Sequence, residues 1–435
     1  MRSWVDHVIW WHVYPLGFVG AEPQQTERVG SVISLHRLRR LEGWLDHLIS
    51  LGANGLLLGP IFTSTTHGYD TTDYLSVDPR LGDDEDFDRL VAACHERGIR
   101  VLLDGVFNHA GRDFPPVAQA LAEGPGSPAA SWVSRLYDTD GVITADYFEG
   151  HDTLVTLNHY SPPVQQFIRD VMLHWLRRGI DGWRLDAAYA VPASFWAAVL
   201  PAVRAEFGEA WFVGEMIHGD YAQYVADSGL DSVTQYELWH AIWSSLDTVN
   251  FHELDWTLRR HRALLEHLVP MTFISNHDVT RVASQIKDPR HWPHAIALLM
   301  FLPGVPSIYY GDEFGFEAVK EQRPGGDESV RPELPSERWL FANASRDVES
   351  TYRRMIGLRR RHPWLVDAIV STTELADAHV AVQAQARSEP DSRLTLVLNL
   401  GVGPYALPSG ATVVEASAPL LDGGLAADTW VVLAG

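Results

Sequence analysis

The sequence has few features of an extracellular, membrane-bound or nucleic-acid-binding protein. Its 435 residues include one cysteine, Cys94, which excludes a disulfide within the chain and fits a reducing compartment. The net charge of −22 argues against nucleic acid and anionic membranes as partners, because both require a basic surface. Asp6, His7 and His12 interrupt the apolar N-terminus, and no apolar run approaches the roughly 18 residues of a membrane span. We therefore expect a cytoplasmic protein.

Short apolar runs alternate with amphipathic helical stretches along most of the chain. The runs predict strands at 8–18, 54–62, 100–107, 182–187, 211–215, 231–238, 270–276 and 305–311. The helical stretches predict helices at 38–52, 87–98, 162–179, 192–208, 252–268, 291–302 and 347–361. Eight strand-then-helix units are the number that a closed (β/α)8 TIM barrel requires. A doubly wound sheet could have the same count, but polar residues at so many strand ends favour closure.

Two segments depart from this alternation. Residues 110–161 are irregular and rich in Gly, Pro and Asp, and they are too long for a plain loop. They are predicted to form a small domain B after the third strand. Residues 365–435 contain short β-branched runs that predict a C-terminal antiparallel β-sandwich. The predicted α/β barrel domain therefore comprises residues 1–109 and 162–364.

Acidic and imidazole side chains lie at the carboxyl ends of four predicted strands. They are Asp104, His109, Asp186, Glu215, His277 and Asp278, and the amide side chain of Asn108 lies among them. The carboxyl ends of barrel strands meet at one face, where one active site can form. A single carboxylate after a strand would be explained as a helix cap. Four such strand ends in one chain favour catalysis.

Three carboxylates around one cleft suggest glycoside chemistry. A retaining glycosidase needs one carboxylate as nucleophile and a second, protonated carboxyl that donates its proton to the leaving oxygen. Further negative charge stabilises an oxocarbenium-like transition state. Arg184 precedes Asp186 by two residues, so both side chains point to the same face of a strand. Arg184 is expected to keep Asp186 ionised and oriented.

Seven short motifs resemble those of the α-amylase family, glycoside hydrolase family 13, in the same order. They are GLLLGPIF (55–62), HGYDTTDY (67–74), DGVFNH (104–109), WRLDAA (183–188), VGEM (213–216), ISNHD (274–278) and GVPSIYYGDEFG (304–315). The resemblance covers about residues 8–361 and implies a barrel with a domain B and a C-terminal β-sandwich. It also implies that Asp186 is the nucleophile, Glu215 the acid/base and Asp278 the stabiliser of the transition state.

The same resemblance implies the residues around the bound sugar. Tyr69 would stack on the sugar, His109 and His277 would hydrogen-bond its hydroxyls, and Arg184 would orient the nucleophile. Asp104 resembles the structural acid behind that arginine.

The subgroup is indicated by two further features. LVTLN (154–158) resembles, in its Leu-Asn ending, a motif of the neopullulanase and cyclomaltodextrinase subgroup. Asp327 and Arg331 resemble a pair that lines the sugar site there, although a surface salt bridge explains them equally well. The subgroup usually carries an N-terminal β-sandwich that helps to close a dimer. This sequence is expected to lack that domain. Formation of a homodimer is an open possibility.

We expect that the protein requires no cofactor, but the presence of a structural Ca²⁺ is an open question. Family members with this ion carry a Lys-His pair where this chain has Tyr189 and Ala190. The first loop after a barrel strand also lacks the Asp/Asn-rich run of another calcium site. The remaining candidate ligand is Asn108, which could be joined by Asp146, Glu149 or Asp152. The missing lysine also implies an altered acceptor side.

The expected activity is hydrolysis of short or cyclic maltooligosaccharides, such as cyclodextrins or cyclic maltosyl-maltose. The α-1,4 bond is the expected target, and cleavage of α-1,6 bonds stays open. Aromatic candidates for stacking on further sugars are Trp132, Tyr147, Phe148 and Trp239. The alternatives are a transglycosylase or isomerase on the same scaffold, a non-catalytic binding module and a metallohydrolase barrel. The intact set of carboxylates argues against the binding module, and no His-x-His ends the first strand, as a metallohydrolase would need.

Overall fold

Eight parallel strands form the barrel at the centre of the computed structural model, which describes residues 4–23, 35–323, 325–336, 346–421 and 424–435. In chain order, β1 to β8 are Trp10–Val13, Gly55–Leu58, Arg100–Gly105, Gly182–Leu185, Trp211–Gly214, Ser232–Val233, Met271–Phe273 and Val305–Tyr309. Their order in the sheet is β6-β5-β4-β3-β2-β1-β8-β7. A parallel bridge between Thr234 and Met271 joins the two edge strands and closes the ring. The predicted TIM barrel is confirmed.

Helices follow each barrel strand and cover its outer face. They are Leu38–Glu42, Leu45–Leu51, Asp84–Glu96, Pro162–Arg177, Ala193–Glu206, Tyr221–Ser228, Tyr236–Thr248, His252–Leu264, Val282–Gln285, Trp292–Phe301 and Arg346–Arg361. All barrel-strand residues except Arg100 are buried, because helices pack outside and side chains fill the inside. Within the barrel, Trp10 of β1 stacks on Trp211 of β5 with 5.9 Å between ring centroids. None of the helices in the described ranges is long and apolar enough to cross a membrane.

Three predicted elements differ from the structure. The predicted strand at 8–18 ends at Val13, and a helical turn then begins at Pro15, a residue favoured at the first position of a helix. The predicted helix at 38–52 is two helices that break near Gly43. The predicted strand at 231–238 is also wrong beyond Val233, because a helix begins at Tyr236.

The segment predicted to be irregular contains regular structure. Within 110–161, a helix spans Pro115–Glu123, and Leu136–Thr139 pairs with Val142–Ala145 as a hairpin. The short strand His109–Gly111 pairs with Leu154–Thr156 and ties both ends of the segment to the barrel. Proline at the helix start and a polar turn in the hairpin account for both elements. The segment leaves the barrel after β3, as expected for domain B.

An antiparallel sheet follows the barrel. Its strands β9 to β13 are Ile369–Leu375, His379–Gln385, Arg393–Asn399, Thr412–Ala416 and Thr429–Ala434. They lie in the order β9-β10-β11-β13-β12, and a two-stranded sheet formed by Tyr405–Ala406 and Gly424–Leu425 lies beside them. The predicted antiparallel C-terminal region is confirmed, whereas the domain boundaries at 109, 161 and 364 stay predictions.

Candidate active site

The three predicted catalytic carboxylates lie at the carboxyl end of the barrel. Asp186 and Glu215 each continue a strand by one residue, beyond β4 and β5. The Asp186 N–H donates to the Gly105 carbonyl at 3.0 Å, and the Glu215 N–H donates to the Leu185 carbonyl at 2.9 Å. These bonds extend the barrel ladder and fix both backbones. Asp278 follows β7, and its N–H donates to the Asn276 side-chain oxygen at 2.8 Å.

Arg184 binds three carboxylates at once. Its Nη1 lies 2.6 Å from Asp104 and 3.1 Å from Asp186, and its Nη2 lies 2.5 Å from Glu215. The guanidinium is buried, so these ion pairs are poorly screened by solvent. The planar group therefore holds Asp186 and Glu215 close together on neighbouring strands.

The cluster has more acidic groups than cations. Burial raises the pKa of Asp186 well above its usual range, and Arg184 lowers it only in part, because Glu215, Asp104 and Asp278 add negative charge. Burial likewise raises the pKa of Asp104, against the effect of Arg184. Arg184 thus favours the ionised form of Asp186, as expected, but it acts against burial and three neighbouring carboxyls, and the ionised state of Asp186 stays a prediction. Carboxyls that share one cation favour retention of a proton within the cluster.

Asp278 has the opposite electrostatic environment. Its Oδ2 lies 2.9 Å from Nε2 of His277, and its Oδ1 accepts a hydrogen bond from Nη2 of Arg331 at 2.9 Å. Burial would raise the pKa of Asp278, but His277, Arg331 and Arg184 together lower it well below its usual range. Asp278 is therefore a carboxylate whose negative charge is available to a developing cation.

Three aromatic rings form a wall beside Asp278. The His277 ring is parallel to Tyr69, with centroids 5.4 Å apart, and to Tyr14, with centroids 6.1 Å apart. The Tyr69 hydroxyl also hydrogen-bonds His277 and donates to Asp104 at 3.0 Å. The wall thus links Asp104 to Asp278.

His109 is buried beyond the end of β3. Burial lowers the pKa of His109 to about 3, so the ring is neutral and can hydrogen-bond a sugar hydroxyl without a charge. Its Nδ1 contacts Asn108 at 3.2 Å, and its Nε2 is buried without a protein partner. Phe148 stacks on it with centroids 4.7 Å apart.

Asp327 and Arg331 come from the loop after β8. Arg331 is buried against the Tyr14 ring and contacts Asp278 in the site. Asp327 lies 3.3 Å from Arg331 and 3.0 Å from the ammonium group of Lys320. The pair is therefore more than an isolated surface salt bridge, because Arg331 connects it to Asp278.

Tyr236 was missed by the sequence reasoning. Its hydroxyl donates to Glu215 at 3.1 Å and accepts from the Asn276 amide at 2.8 Å. Residue 236 falls in the predicted strand at 231–238, which gave no reason for its side chain to reach the site. Asn276 lies within the ISNHD motif, and that position is the one signal that could have pointed to it.

The other three aromatic candidates make protein contacts. Trp132 packs edge-on against Phe167 with centroids 5.5 Å apart. Tyr147 accepts a hydrogen bond from Arg112, and Trp239 stacks on Phe273. Of the four candidates, Phe148 is the one that stacks on a predicted sugar-binding residue, His109.

The candidate calcium ligands differ in their surroundings. The Asn108 Oδ1 atom is buried without a partner and could serve as one ligand. The Asp146 carboxylate, however, accepts from Ser134 and Tyr137, and the Glu149 carboxylate accepts from Tyr189. A calcium ion takes six to eight oxygen ligands, so these side chains would have to be joined by further oxygens, and the calcium site stays a prediction.

Comparison with known proteins identifies the family. The profile described as "Alpha amylase, catalytic domain" matches residues 13–148 and 144–364. A cyclomaltodextrinase of a Bacillus species is 31% identical over 382 residues, which are 83% of this chain and 67% of that protein. Neopullulanase 2 of Thermoactinomyces vulgaris is 31% identical over 369 residues, which are 82% of this chain and 61% of that protein.

The solved structures include a cyclic α-maltosyl-(1→6)-maltose hydrolase from Arthrobacter globiformis in complex with cyclic α-maltosyl-(1→6)-maltose. It matches with a TM-score of 0.81 and 26% identity over 100% of this chain and 99% of that chain. The family profile covers well over half of the sequence, and the relatives match over most of it. The chain therefore belongs to the α-amylase family of glycoside hydrolases, family 13.

Proposed function

We propose that the protein is a retaining hydrolase of α-glucosidic bonds. Asp186 attacks the anomeric carbon, while Glu215 protonates the leaving oxygen and then activates the water that releases the product. Asp278 stabilises the oxocarbenium-like transition state and holds sugar hydroxyls. The contact of one guanidinium, that of Arg184, with both Asp186 and Glu215 carries this proposal. Retaining enzymes hold the two carboxyls about 5–5.5 Å apart and inverting enzymes about 6.5–9.5 Å apart, and two carboxyls bound to one guanidinium favour the closer arrangement.

The chemistry is tested by Asp186→Asn, which removes the nucleophile and keeps the side-chain shape. We expect kcat to fall by at least about 10³-fold while substrate binding persists, measured by turnover assay and calorimetry. NMR of early products from the unmodified enzyme should show the α-anomer. A β-anomeric product, or a loss well under about a hundredfold, would exclude Asp186 as nucleophile.

We further propose that the substrates are short or cyclic maltooligosaccharides. Relatives named cyclomaltodextrinase and neopullulanase support this class, as does the solved cyclic maltosyl-maltose hydrolase. The last of these names an α-1,6 bond, so we include this linkage beside the α-1,4 bond. Tyr189, which stands where long-chain amylases have a lysine, supports an acceptor side unsuited to polymers.

Substrate class is tested by kcat/KM on maltotetraose, cyclodextrins, cyclic maltosyl-maltose, pullulan and soluble starch. We expect the small substrates to exceed starch by about tenfold or more per cleavable bond, with maltose as a main product. Transfer products longer than the substrate would instead indicate the transglycosylase alternative. A preference for starch would identify an ordinary α-amylase.

The remaining proposals concern partners and cofactors. We propose a cytoplasmic enzyme that requires no cofactor and binds no nucleic acid, and a homodimer is the assembly to test by light scattering. Because the Asp146 and Glu149 carboxylates accept hydrogen bonds from Ser134, Tyr137 and Tyr189, treatment with EDTA is expected to leave activity and Tm unchanged. A loss that Ca²⁺ restores would show a structural calcium ion.

A further inference from the structure

The residue after Asp186 has an uncommon backbone conformation. Ala187 lies in the left-handed region, with φ 46° and ψ 38°. A residue with a Cβ atom adopts this region rarely, and it persists only where surrounding contacts hold it. The residue is also buried, at 2% exposure. The conformation is therefore maintained by the site rather than by the local sequence.

The contacts of this turn converge on Glu215. The Ala187 N–H donates to Oε2 of Glu215 at 3.0 Å, and the Tyr189 N–H donates to the Glu215 backbone carbonyl at 3.2 Å. The Ala190 N–H closes the turn by donating to the Ala187 carbonyl at 2.9 Å. The turn thus binds both the backbone and the side chain of the residue on the neighbouring strand.

A glycine on β5 permits this approach. A Cβ atom added at Gly214 would lie 3.0 Å from the Ala188 side chain and 2.8 Å from Leu230. The contact with Leu230 is shorter than real side chains show and that with Ala188 is very tight, so a larger residue would force Leu230 and Ala188, a residue of the turn, to shift. The close packing of the two strand ends therefore depends on Gly214.

The other oxygen of Glu215 has separate donors. Its Oε1 accepts from the Tyr236 hydroxyl at 3.1 Å and lies 2.5 Å from Nη2 of Arg184. Donors on both oxygens fix the plane of the carboxyl group. Tyr236 and Arg184 act through side chains, whereas the contact to Oε2 comes from a backbone N–H whose direction depends on the turn at Ala187.

We propose that Ala187 is a positioning residue for proton transfer. Its left-handed turn directs the N–H at Oε2 and holds the Glu215 carboxyl in the orientation from which it protonates the leaving oxygen. The proposal rests on the acid/base role proposed for Glu215. It requires that disturbing this turn weakens acid catalysis in particular, while nucleophilic attack by Asp186 is maintained.

Replacing Ala187 by Asn or by Val adds a side chain of similar size, so comparing the two variants separates the effect of backbone conformation from the effect of added volume. Asn tolerates the left-handed region, whereas the β-branched Val does not. We would measure kcat/KM for a series of aryl α-maltosides with leaving groups of differing pKa, and for α-maltosyl fluoride. Ala187→Val is expected to lose about tenfold or more on the poorest leaving groups and little on the fluoride. Ala187→Asn should keep the leaving-group dependence of the unmodified enzyme.

Ala190→Val is the matched control, because it makes the same change in the same turn at an exposed residue without contact to the Glu215 carboxylate. Equal losses in Ala187→Val and Ala187→Asn, or a loss independent of the leaving group, would overturn the proposal. If Ala187→Val does not fold, Gly214→Ala displaces the same turn and should give the same steeper dependence. A Glu215→Gln variant without leaving-group dependence would instead refute the acid/base role itself.

Discussion

At the scale of single residues, Glu215 has to donate a proton but is surrounded by hydrogen-bond donors. Arg184, Tyr236 and the Ala187 N–H all point at its two oxygens. Arg184 also neutralises Asp186 and Asp104, so its single charge is divided among three carboxyls. The excess of acidic groups allows one proton to remain in the cluster. Because the carboxyls outnumber this cation, the cluster can hold the proton that acid catalysis requires.

Replacement of Glu215 by Gln gives the residue-scale prediction. The amide keeps the shape of the side chain but cannot transfer a proton, so we expect a loss of about 10²–10⁴-fold in kcat on maltooligosaccharides. On α-maltosyl fluoride the loss should be far smaller, since fluoride leaves with little need for protonation. Steady-state assays on both substrates check this, with Glu237→Gln, at a partly exposed glutamate that pairs with Arg260, as control. Equal losses on the two substrates would contradict the assignment.

At the scale of elements, the loop after β8 brings Arg331 to Asp278. Arg281 donates to the Val330 carbonyl at 2.8 Å, and the Tyr310 hydroxyl donates to the Pro332 carbonyl at 2.8 Å. These two bonds hold the loop on either side of Arg331. On its other face, the loop packs directly on the helical turn after β1, where a Cβ atom at Gly17 would lie 2.4 Å from the Arg331 carbonyl.

Gly17→Ala should therefore displace this loop. Because the added methyl meets backbone rather than a flexible side chain, the carbonyl of Arg331 has to move, and its ion pair with Asp278 weakens. We expect kcat/KM on maltooligosaccharides to fall by about tenfold or more, since small misplacements at a site are costly. Gly403→Ala, which adds the same methyl into open space, is the control. Unchanged kcat/KM in Gly17→Ala would show that the packing at Gly17 does not control the site.

At the scale of the whole molecule, the barrel and the C-terminal sheet share one apolar core. Trp430 of β13 and Leu396 of β11 belong to the same buried cluster as Leu298 and Leu358 of the barrel helices. Arg354, on the last barrel helix, also donates to the Ala416 carbonyl of β12 at 2.9 Å. A core that is continuous across the two regions predicts that they unfold together.

Trp430→Ala tests this coupling. The ring is fully buried, so its removal should cost about 3–5 kcal/mol and lower the Tm of a single transition in calorimetry. Activity below the new Tm should be unchanged, because the residue lies outside the barrel mouth. Trp256→Ala removes a ring that is 64% exposed and should leave the Tm nearly unaltered. Two separate transitions in the unmodified protein would contradict the shared core.

The sequence by itself determined the barrel and the place of its acidic residues. Apolar runs of strand length alternate with amphipathic helices, and this local pattern decides which segments become β1 to β8. Since parallel strands all end at one face of the barrel, Asp186, Glu215 and Asp278 had to lie there together. Predictions were wrong in short segments, such as 231–238, where the apolar pattern fits a helix as well as a strand.

Only the tertiary structure decided how these residues interact. Asn276 reaches Tyr236 across 40 positions, and Arg184 reaches Asp104 across 80. The burial that raises the pKa of Asp186 likewise arises from packing around the whole barrel. The left-handed turn at Ala187 also depends on tertiary contacts, because alanine has no intrinsic preference for this conformation. Charge, hydrogen-bond direction and backbone strain depend on neighbours that are distant in the chain, and a local sequence pattern does not specify them.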